Sequence, residues 1–309
     1  MAESRPSPSE GTKGPPRGLV LPAPPWQHRL AELADFAWRR VAGGYEVDEF
    51  GFDPDLNSAV LMPAALALYR NWFRVQMRGL ASVPAAGPAL IVANHSGALP
   101  LDAVMLQAGI FAEHPARRNV RLLGADLVYA VPGLAWLARR SGHTRADPEL
   151  ADRLLAAGEL VGVFPEGFKG LGKPFSERYR LQRFGRGGFA RTALRARVPI
   201  VPCAIVGAEE IYPMIGNSAA LAQALRLPYF PVTPLFPWLG PLGAIPLPSN
   251  WIIEFCEPVP TAGLTPASEA TGSDAGPADD LIADLADQVR DTIQAKIDEL
   301  LVERGPAFG

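Results

Sequence analysis

Short apolar runs alternate with stretches of helical periodicity through the middle of the chain. Runs rich in aliphatic residues are typical of strands that a sheet buries on both faces. Five such runs occur, at 89–93, 120–124, 160–164, 199–207 and 251–256. Between them, apolar residues recur at helical spacing at about 100–112, 126–139, 147–157 and 186–197. The alternation predicts an α/β fold with a central, mostly parallel sheet flanked by helices.

The same pattern predicts a pair of helices before the sheet. Residues 26–41 carry an apolar stripe, and residues 56–77 form a longer apolar stretch in which a kink is expected at Pro63. The second half of the longer helix adds cationic and aromatic residues, a combination that suits a membrane interface. A core helix with a solvated end explains the pattern equally well. We therefore interpret 26–78 as an N-terminal helical segment and a candidate membrane-interface segment.

The remaining stretches differ from this alternation. Residues 215–250 are rich in proline and aromatic residues but lack a helix or strand period. They are too apolar for a solvated loop, so we expect a packed lobe that covers a ligand tunnel or touches lipid. Residues 261–280 are predicted to be a flexible linker, and 281–309 an amphipathic C-terminal helix. A proline-rich, disordered leader at 1–25 leaves 79–260 as the main folded domain.

Composition narrows the classes of function. The 309 residues are 48% hydrophobic and 20% charged, which is enough for a well-buried core. A net charge of −3 provides no overall field for nucleic acid, so no such partner is expected. Cys203 and Cys256 lie in separate apolar runs, which argues against a disulfide scaffold or a CxxC metal site. Without a signal peptide or an apolar run of spanning length, a cytoplasmic location is expected.

One of the four histidines stands where α/β folds place their sites. His95 directly follows the strand predicted at 89–93, in NHSGALPLD, and Asp102 falls in the first turn of the next helix. A carboxylate beside an imidazole orients the ring and stabilises its cation, as a general base for an alcohol requires. A capping or core histidine beside an unrelated aspartate explains the spacing as well. His143, in SGHTR, is assigned to a turn.

A second strand end carries the sequence Pro-Glu-Gly. Glu166 is expected at the carboxyl-terminal mouth of the sheet, and Gly167 lets the backbone approach a ligand closely. A simple turn is the alternative. The GxxxxGK spacing from Gly167 to Lys173 does not indicate a nucleotide-binding P-loop, because Pro174 stands where a serine or threonine must hold magnesium.

Basic residues are concentrated immediately after this strand end. Nine of them lie between Glu166 and Arg197, against two acidic residues. Such a concentration suits phosphate groups, on a lipid headgroup, on coenzyme A or on an anionic membrane. For Arg191, Arg195 and Arg197 we favour a solvated basic face instead.

Together these blocks resemble the glycerolipid acyltransferase superfamily, which includes the lysophosphatidate and glycerol-3-phosphate acyltransferases. NHSGALPLD is similar to the first block of that family, SGHTR to its arginine-bearing second, VFPEG to its third and VPIVPCAIVG to its proline-bearing fourth. The blocks stand in the family's order and cover about residues 70–257. FPEG downstream of NHS is fairly specific as a pair, whereas either alone is a weak signal.

The first block departs from the family in its spacing. Six residues separate His95 from Asp102, where the family has four. The block therefore looks like a divergent bacterial branch, similar to acyltransferases related to diacylglycerol and phytyl-ester synthesis. Asp102 reaches the imidazole only if the loop 96–100 bulges.

The resemblance implies an acyltransferase with a defined chemistry. His95 would deprotonate a lipid hydroxyl, which attacks the thioester of acyl-CoA or acyl carrier protein, and Asp102 would orient His95. No metal and no cofactor beyond this co-substrate is required. Lys169 and Lys173 join the site on their charge and position rather than by resemblance. The residues expected to bind substrate are Ser96, Gly97, Arg145, Glu166, Gly167, Lys169 and Lys173.

Two alternatives stay open at this point. The same site would also suit acylation of another alcohol, such as diacylglycerol, phytol or a sugar, or hydrolysis of the thioester. The altered His–Asp spacing would alternatively mark a non-catalytic lipid-binding protein. In each case the expected location is the cytoplasmic face of a membrane, with the protein attached peripherally.

Overall fold

The computed structural model describes residues 25–96, 99–225, 229–264 and 276–308. The chain divides into two units, Met1–Gly43 and Gly44–Gly309. The first contains a single described helix, and the second contains the sheet and all the elements discussed below. The disordered leader predicted at 1–25 lies almost entirely outside the described residues, as does most of the linker predicted at 261–280.

Nine strands make a seven-stranded sheet and a separate two-stranded ribbon. The large sheet has the order β1-β9-β6-β2-β5-β3-β4, and the ribbon joins β7 to β8. Every neighbouring pair in the large sheet is parallel except β6 and β9. The strands are β1 (Gln76–Arg78), β2 (Ala89–Ala93), β3 (Val120–Gly124), β4 (His143–Arg145), β5 (Leu160–Val163), β6 (Ile200–Val206), β7 (Gly216–Asn217), β8 (Pro231–Val232) and β9 (Ile252–Phe255).

Helices cover both faces of the sheet, so the predicted α/β class is confirmed. Two π-helical turns, Asn57–Leu61 and Leu68–Trp72, continue α2 and α3. The helices are α1 (Pro25–Ala42), α2 (Pro54–Leu56), α3 (Met62–Ala67), α4 (Leu101–Glu113), α5 (Asp126–Ala130), α6 (Pro132–Arg140), α7 (Pro148–Ala156), α8 (Phe168–Leu171), α9 (Gly188–Ala196), α10 (Ala219–Leu225) and α11 (Gly276–Arg304).

Alternation along β2 shows how the sheet divides the core. Ala89, Ile91 and Ala93 belong to the hydrophobic cluster beneath α3 and α4. Leu90 and Val92 belong to the opposite cluster, which includes residues of α7, α9 and α11. Successive side chains of a strand point to opposite faces, so an all-apolar run is the sequence that a sheet buried on both sides requires.

The C-terminal helix is part of this core rather than an appendage. Val289, Ile293, Ile297 and Leu300 of α11 are fully buried against the second face of the sheet. Their spacing of three or four residues places them on one side of the helix. Burial of each such side chain contributes about 2 kcal/mol, so the helix adds substantially to the stability of the unit.

The helix expected at 56–77 is shorter at its C-terminal end. It ends at Trp72, and Arg74 has a φ of +45°, which a helix cannot continue. Residues 76–78 instead form edge strand β1, paired in parallel with β9. Met62 and Tyr69 are buried in the core beneath the sheet, so the apolar face of this helix is occupied by the protein itself.

The assignment of His143 to a turn is also wrong. His143–Arg145 forms edge strand β4 beside β3. Three residues of mixed polarity are too few to show a strand period, so strand β4 is not predictable from the sequence pattern.

His143 is held as a neutral imidazole by the core. Gln107 uses its amide nitrogen to donate to the carbonyl oxygens of Val120 and Ser141. The Gln107 Oε1 therefore accepts from the His143 Nε2–H, at 3.0 Å. Burial lowers the pKa of His143 from 6.5 to about 4, because the charged ring would lose its hydration.

This shift predicts a pH dependence of stability. Between pH 6.5 and about 4, the unfolded chain binds a proton at His143 that the folded protein does not. The free energy of unfolding therefore falls as the pH is lowered through this window, by at most about 3 kcal/mol. In His143→Gln this contribution is absent, and the difference between the two denaturation curves measured across the window isolates it. Parallel curves for wild type and variant would contradict the prediction.

Candidate active site

His95 and Asp102 form a hydrogen-bonded pair at the carboxyl end of β2. Asp102 lies in the first turn of α4, and its Oδ2 is 2.7 Å from the Nδ1 of His95. The same oxygen accepts the Ser96 N–H at 2.8 Å, so the loop doubles back on itself. The six-residue spacing therefore still brings Asp102 to the imidazole. With Nδ1 donating to the carboxylate, Nε2 is the ring nitrogen that carries the lone pair.

The aspartate of the His95–Asp102 pair is shielded from solvent. Asp102 is fully buried, and its Oδ1 accepts the Ala103 N–H at 2.8 Å. The His95 ring packs on Phe164, with ring centroids 4.6 Å apart. A buried carboxylate whose oxygens are both hydrogen-bonded holds an imidazole in one tautomer and one orientation.

Asn94 fixes the strand end from which His95 projects. Its buried side chain donates to the Ile205 carbonyl at 2.9 Å and accepts the Ile205 N–H at 2.7 Å. The amide thus replaces two backbone hydrogen bonds between β2 and β6. Sequence reasoning assigned no role to Asn94, although its place directly before His95 was a usable signal.

Glu166 lies beneath the site instead of facing a ligand. It is buried, its Oε1 accepts the backbone N–H of His95 at 3.0 Å, and its Oε2 accepts that of Gln182 at 2.8 Å. Both carboxylate oxygens are therefore committed to backbone amides of the protein. Glu166 was expected to hold the acceptor substrate, but in the structure it binds the backbone of His95 and of Gln182 instead.

Lys173 is also inside the protein. Its Nζ is 3.0 Å from Glu209 Oε1 and 3.6 Å from Glu166 Oε2, and it donates to the Arg180 carbonyl at 3.1 Å. Only 3% of its side chain is exposed. This placement leaves no surface on Lys173 for a substrate phosphate, which corrects the expectation drawn from its charge alone.

The other predicted binding residues occupy different positions. Gly167 has a φ of +54° and open space around it, and Lys169 is exposed on α8. Ser96 is fully buried, and its hydroxyl has no hydrogen-bond partner among the described residues. Gly97 lies outside the described residues. Arg145, at the end of β4, is exposed and forms an ion pair with Asp126 at 2.8 Å.

Two strands, β5 and β3, lie between the strand end of His95 and that of Arg145. Strand β4 lies three positions from β2 in the order β2-β5-β3-β4. At the usual spacing of strands, this places their ends about 14 Å apart. Arg145 and His95 are at the same edge of the sheet but would contact different parts of any one ligand.

The basic segment divides into two groups. Arg191 and Arg195 form ion pairs with Asp279 and Asp152, as a solvated face would. Arg180 and Arg183 are exposed, and within the described part of the chain no acidic side chain contacts them. They lie on either side of Gln182, whose backbone N–H donates to Glu166. Because Glu166 also accepts the N–H of His95, the backbone of this basic segment lies close to His95.

Gly170 allows the segment after β5, which carries Glu166, to pack against the end of β2, which carries His95. A Cβ atom at this position would lie 2.8 Å from the His95 carbonyl oxygen and 2.8 Å from the Glu166 Cβ. Only glycine fits at such a distance. Sequence reasoning missed Gly170, although it ends the FPEGFKG block on which the site was predicted. Within the described ranges, no group of three His, Cys, Asp or Glu side chains is arranged to hold a metal ion.

Comparison with known proteins identifies the family. The Acyltransferase family model matches residues 74–206. An uncharacterized protein of Mycobacterium tuberculosis (strain H37Rv) is 51% identical over 280 residues, which cover 90% of this chain and 76% of that protein. A second, from Mycobacterium leprae, is 51% identical over 283 residues, covering 91% and 75%.

More distant matches point the same way. The DGAT1/2-independent enzyme synthesizing storage lipids from Homo sapiens is 28% identical over 169 residues, which is 54% of this chain and 51% of that enzyme. The crystal structure of the 1-acyl-sn-glycerophosphate (LPA) acyltransferase PlsC from Thermotoga maritima superposes with a TM-score of 0.52 at 17% identity, covering 89% of this chain and 97% of that one. The latter match shows a shared fold.

The family match over residues 74–206, the shared fold and the storage-lipid enzymes together support the glycerolipid acyltransferase superfamily that the sequence blocks resemble. The family match and the fold support an acyltransferase of lipid metabolism. Of the helices that the structure describes, none has the length and apolar character needed to cross a membrane.

The close contact at Gly170 generates a prediction. Gly170→Ala would force apart the His95 and Glu166 backbones, so we expect at least about a tenfold loss of acyl-transfer rate and about 1–3 kcal/mol of lost stability. Gly133→Ala is the matched control, since Gly133 is also helical but has no atom within 4 Å of the added methyl group. Equal activity in the two variants would show that the packing at Gly170 does not matter.

Proposed function

We propose that the protein transfers a fatty acyl group from a thioester, acyl-CoA or acyl carrier protein, to the hydroxyl of a lysophosphatidate-type glycerolipid. The observation that carries the proposal is the 2.7 Å contact between His95 Nδ1 and the buried Asp102 carboxylate. This contact leaves Nε2 as the base. It also argues against the alternative of a non-catalytic protein, because the longer spacing still forms the pair.

The reaction follows from this geometry. Nε2 of His95 takes the proton of the acceptor hydroxyl as its oxygen attacks the thioester carbonyl, and Asp102 stabilises the resulting imidazolium. The tetrahedral intermediate collapses with loss of the thiolate, which takes the proton back from Nε2. The products are the acylated lipid and the free thiol, and His95 returns to its neutral form.

The phosphate groups of the substrates require cations at the surface. Lys169, Arg180 and Arg183 are exposed close to the His95 strand end, and we assign them to the phosphate nearest the reacting hydroxyl. Arg145, about 14 Å away by strand spacing, suits a phosphate at the far end of a substrate. The exposed cations thus take over the role expected of Lys173.

A second acceptor is favoured by one group of relatives. The human, bovine and mouse matches are named as enzymes synthesizing storage lipids independently of DGAT1 and DGAT2. Each match spans about half the length of those enzymes. Diacylglycerol is therefore the alternative acceptor to be tested beside lysophosphatidate.

The apolar stretch 215–250, here called the apolar lobe, is our candidate for membrane contact. No charged residue occurs from 227 to 253. Trp238 is 72% exposed and Leu242 is 65% exposed. The turn that presents them is firmly held, because Tyr212 donates to the Ala244 carbonyl at 2.7 Å and Trp72 to the Pro246 carbonyl at 3.0 Å. An uncharged, exposed patch with an indole ring is typical of peripheral insertion into a lipid interface.

The base is tested by acyl transfer in liposomes. Purified protein is given labelled palmitoyl-CoA with lysophosphatidate or diacylglycerol. We expect His95→Ala and Asp102→Asn each to lose at least about 10³-fold in kcat, since both remove the oriented base. Asp287→Asn, which removes an exposed carboxylate on α11, is the control.

The possible outcomes separate the hypotheses. Transfer that survives His95→Ala would refute the base. Release of CoA without acylated lipid would indicate hydrolysis, and conversion of only one acceptor would fix the substrate class.

The lobe is tested by sedimentation with vesicles. Trp238→Lys combined with Leu242→Lys places two charges in the proposed contact, so vesicle-bound protein should fall at least about tenfold. Val302→Lys, at an exposed apolar position on α11, adds a charge outside the lobe and should bind as wild type does. Unchanged binding of the double variant would exclude the lobe as the contact.

A further inference from the structure

A buried group of three charged side chains lies behind His95. Glu166 connects His95 to this group, because its Oε1 accepts the His95 N–H and its Oε2 stands 3.6 Å from Lys173 Nζ. Lys173 in turn contacts Glu209 at 3.0 Å. The side chains of Glu166, Lys173 and Glu209 are 0%, 3% and 6% exposed.

The charges in this group do not balance. Two carboxylates share one ammonium, in surroundings where an unpaired charge costs several kcal/mol. Glu166 also accepts two backbone N–H groups, whereas Glu209 depends mainly on Lys173. Burial raises the pKa of Glu209 to about 7, and the nearby Lys173 opposes the rise. Glu209 therefore gives up its charge more readily than a carboxyl in water does.

We propose that Lys173 and Glu209 are positioning residues of the acyltransferase site, which hold Glu166 in place as an anchor for the His95 backbone. Lys173 neutralises Glu166 and fixes it against the His95 N–H. Glu209 fixes Lys173 from the other side. The hydrogen bond to His95 then keeps the imidazole in line with Asp102. The proposal rests on the proposed function of His95 as the base.

The consequence of removing Lys173 differs from a simple loss of packing. In Lys173→Met two carboxylates remain buried with no cation, so one of them must take up a proton or move. Without the ammonium, Glu166 loses the partner that fixes its Oε2, and repulsion from Glu209 weakens its hold on the His95 N–H. Replacing Glu209 by glutamine as well removes the competing carboxylate, so Glu166 returns to its backbone donors. The double variant should therefore work better than Lys173→Met alone.

The neighbouring residue supplies a matched control. Glu210 follows Glu209 in the chain, and its Oε1 is 2.6 Å from Arg304 Nη2 in an equally buried pair, 3% and 6% exposed. This pair ties α11 to the turn after β6 and does not touch Glu166. Arg304→Met leaves a buried carboxylate unpaired just as Lys173→Met does, but at a position without a link to His95.

The test combines kinetics with amide hydrogen exchange. Lys173→Met should lower kcat at least about tenfold while the KM for the acyl thioester changes by less than about twofold. Exchange at the peptide that contains His95 and Ser96 should accelerate at least about tenfold. Lys173→Met/Glu209→Gln should recover part of both losses. Arg304→Met should lower the melting temperature but leave the exchange at His95 and kcat close to wild type.

Each outcome has a distinct meaning. Equal kinetic losses in Lys173→Met and Arg304→Met, or additive losses in the double variant, would reduce the group to ordinary stability and overturn the proposal. If the rate of amide hydrogen exchange at His95 is the same in Lys173→Met as in the wild type, the proposal is also overturned. If the wild-type protein transfers no acyl group to any acceptor, the proposed function fails, and the exchange measurement still decides whether Lys173 holds the His95 backbone.

Discussion

Two buried carboxylates hold the loop after β2 from opposite sides, and the geometry of the site depends on them. Glu166 accepts the N–H of His95, and Asp102 accepts the N–H of Ser96 as well as the imidazole Nδ1. Successive backbone amides are thus fixed by side chains from two different segments. These two bonds fix the backbone at His95 and Ser96, because each amide has a buried carboxylate as its acceptor.

These buried charges require compensation, and the surrounding structure provides it. Lys173 and Glu209 stand behind Glu166, and Asn94 closes the gap between β2 and β6 with two backbone-like hydrogen bonds. Gly170 lets the FPEG segment approach close enough for Glu166 to reach His95 at all. The site is therefore preorganised by the protein interior, which is the condition for efficient acid–base chemistry at an exposed strand end.

The surface around the strand ends divides into chemically different regions. Exposed cations gather on α8 and on the segment that contains Gln182, where they are available to phosphate groups. The apolar lobe carries no charged residue from 227 onwards and presents Trp238 and Leu242 to its surroundings. The proposed transfer of an acyl chain to a charged lipid requires both chemistries, and in this fold different stretches of the chain supply them. The helix that ends at Trp72 contributes its apolar face to the core, so its amphipathic sequence is explained by packing.

The sequence by itself determined the α/β class and the five longer strands and named His95 and Asp102 as candidates, because these depend on local patterns, whereas the contact between the two was decided by the tertiary structure. An apolar run of five residues marks a buried strand wherever it occurs, and a histidine at the end of such a run stands at the ligand edge of a parallel sheet. Edge strands β1 and β4 were not predicted, because three residues are too few to show a strand period. Only the tertiary structure decided the roles of Glu166 and Lys173. Glu209, the partner of Lys173, lies 36 residues along the chain, and a charged residue has the same local signature whether it faces a ligand or a buried counter-charge.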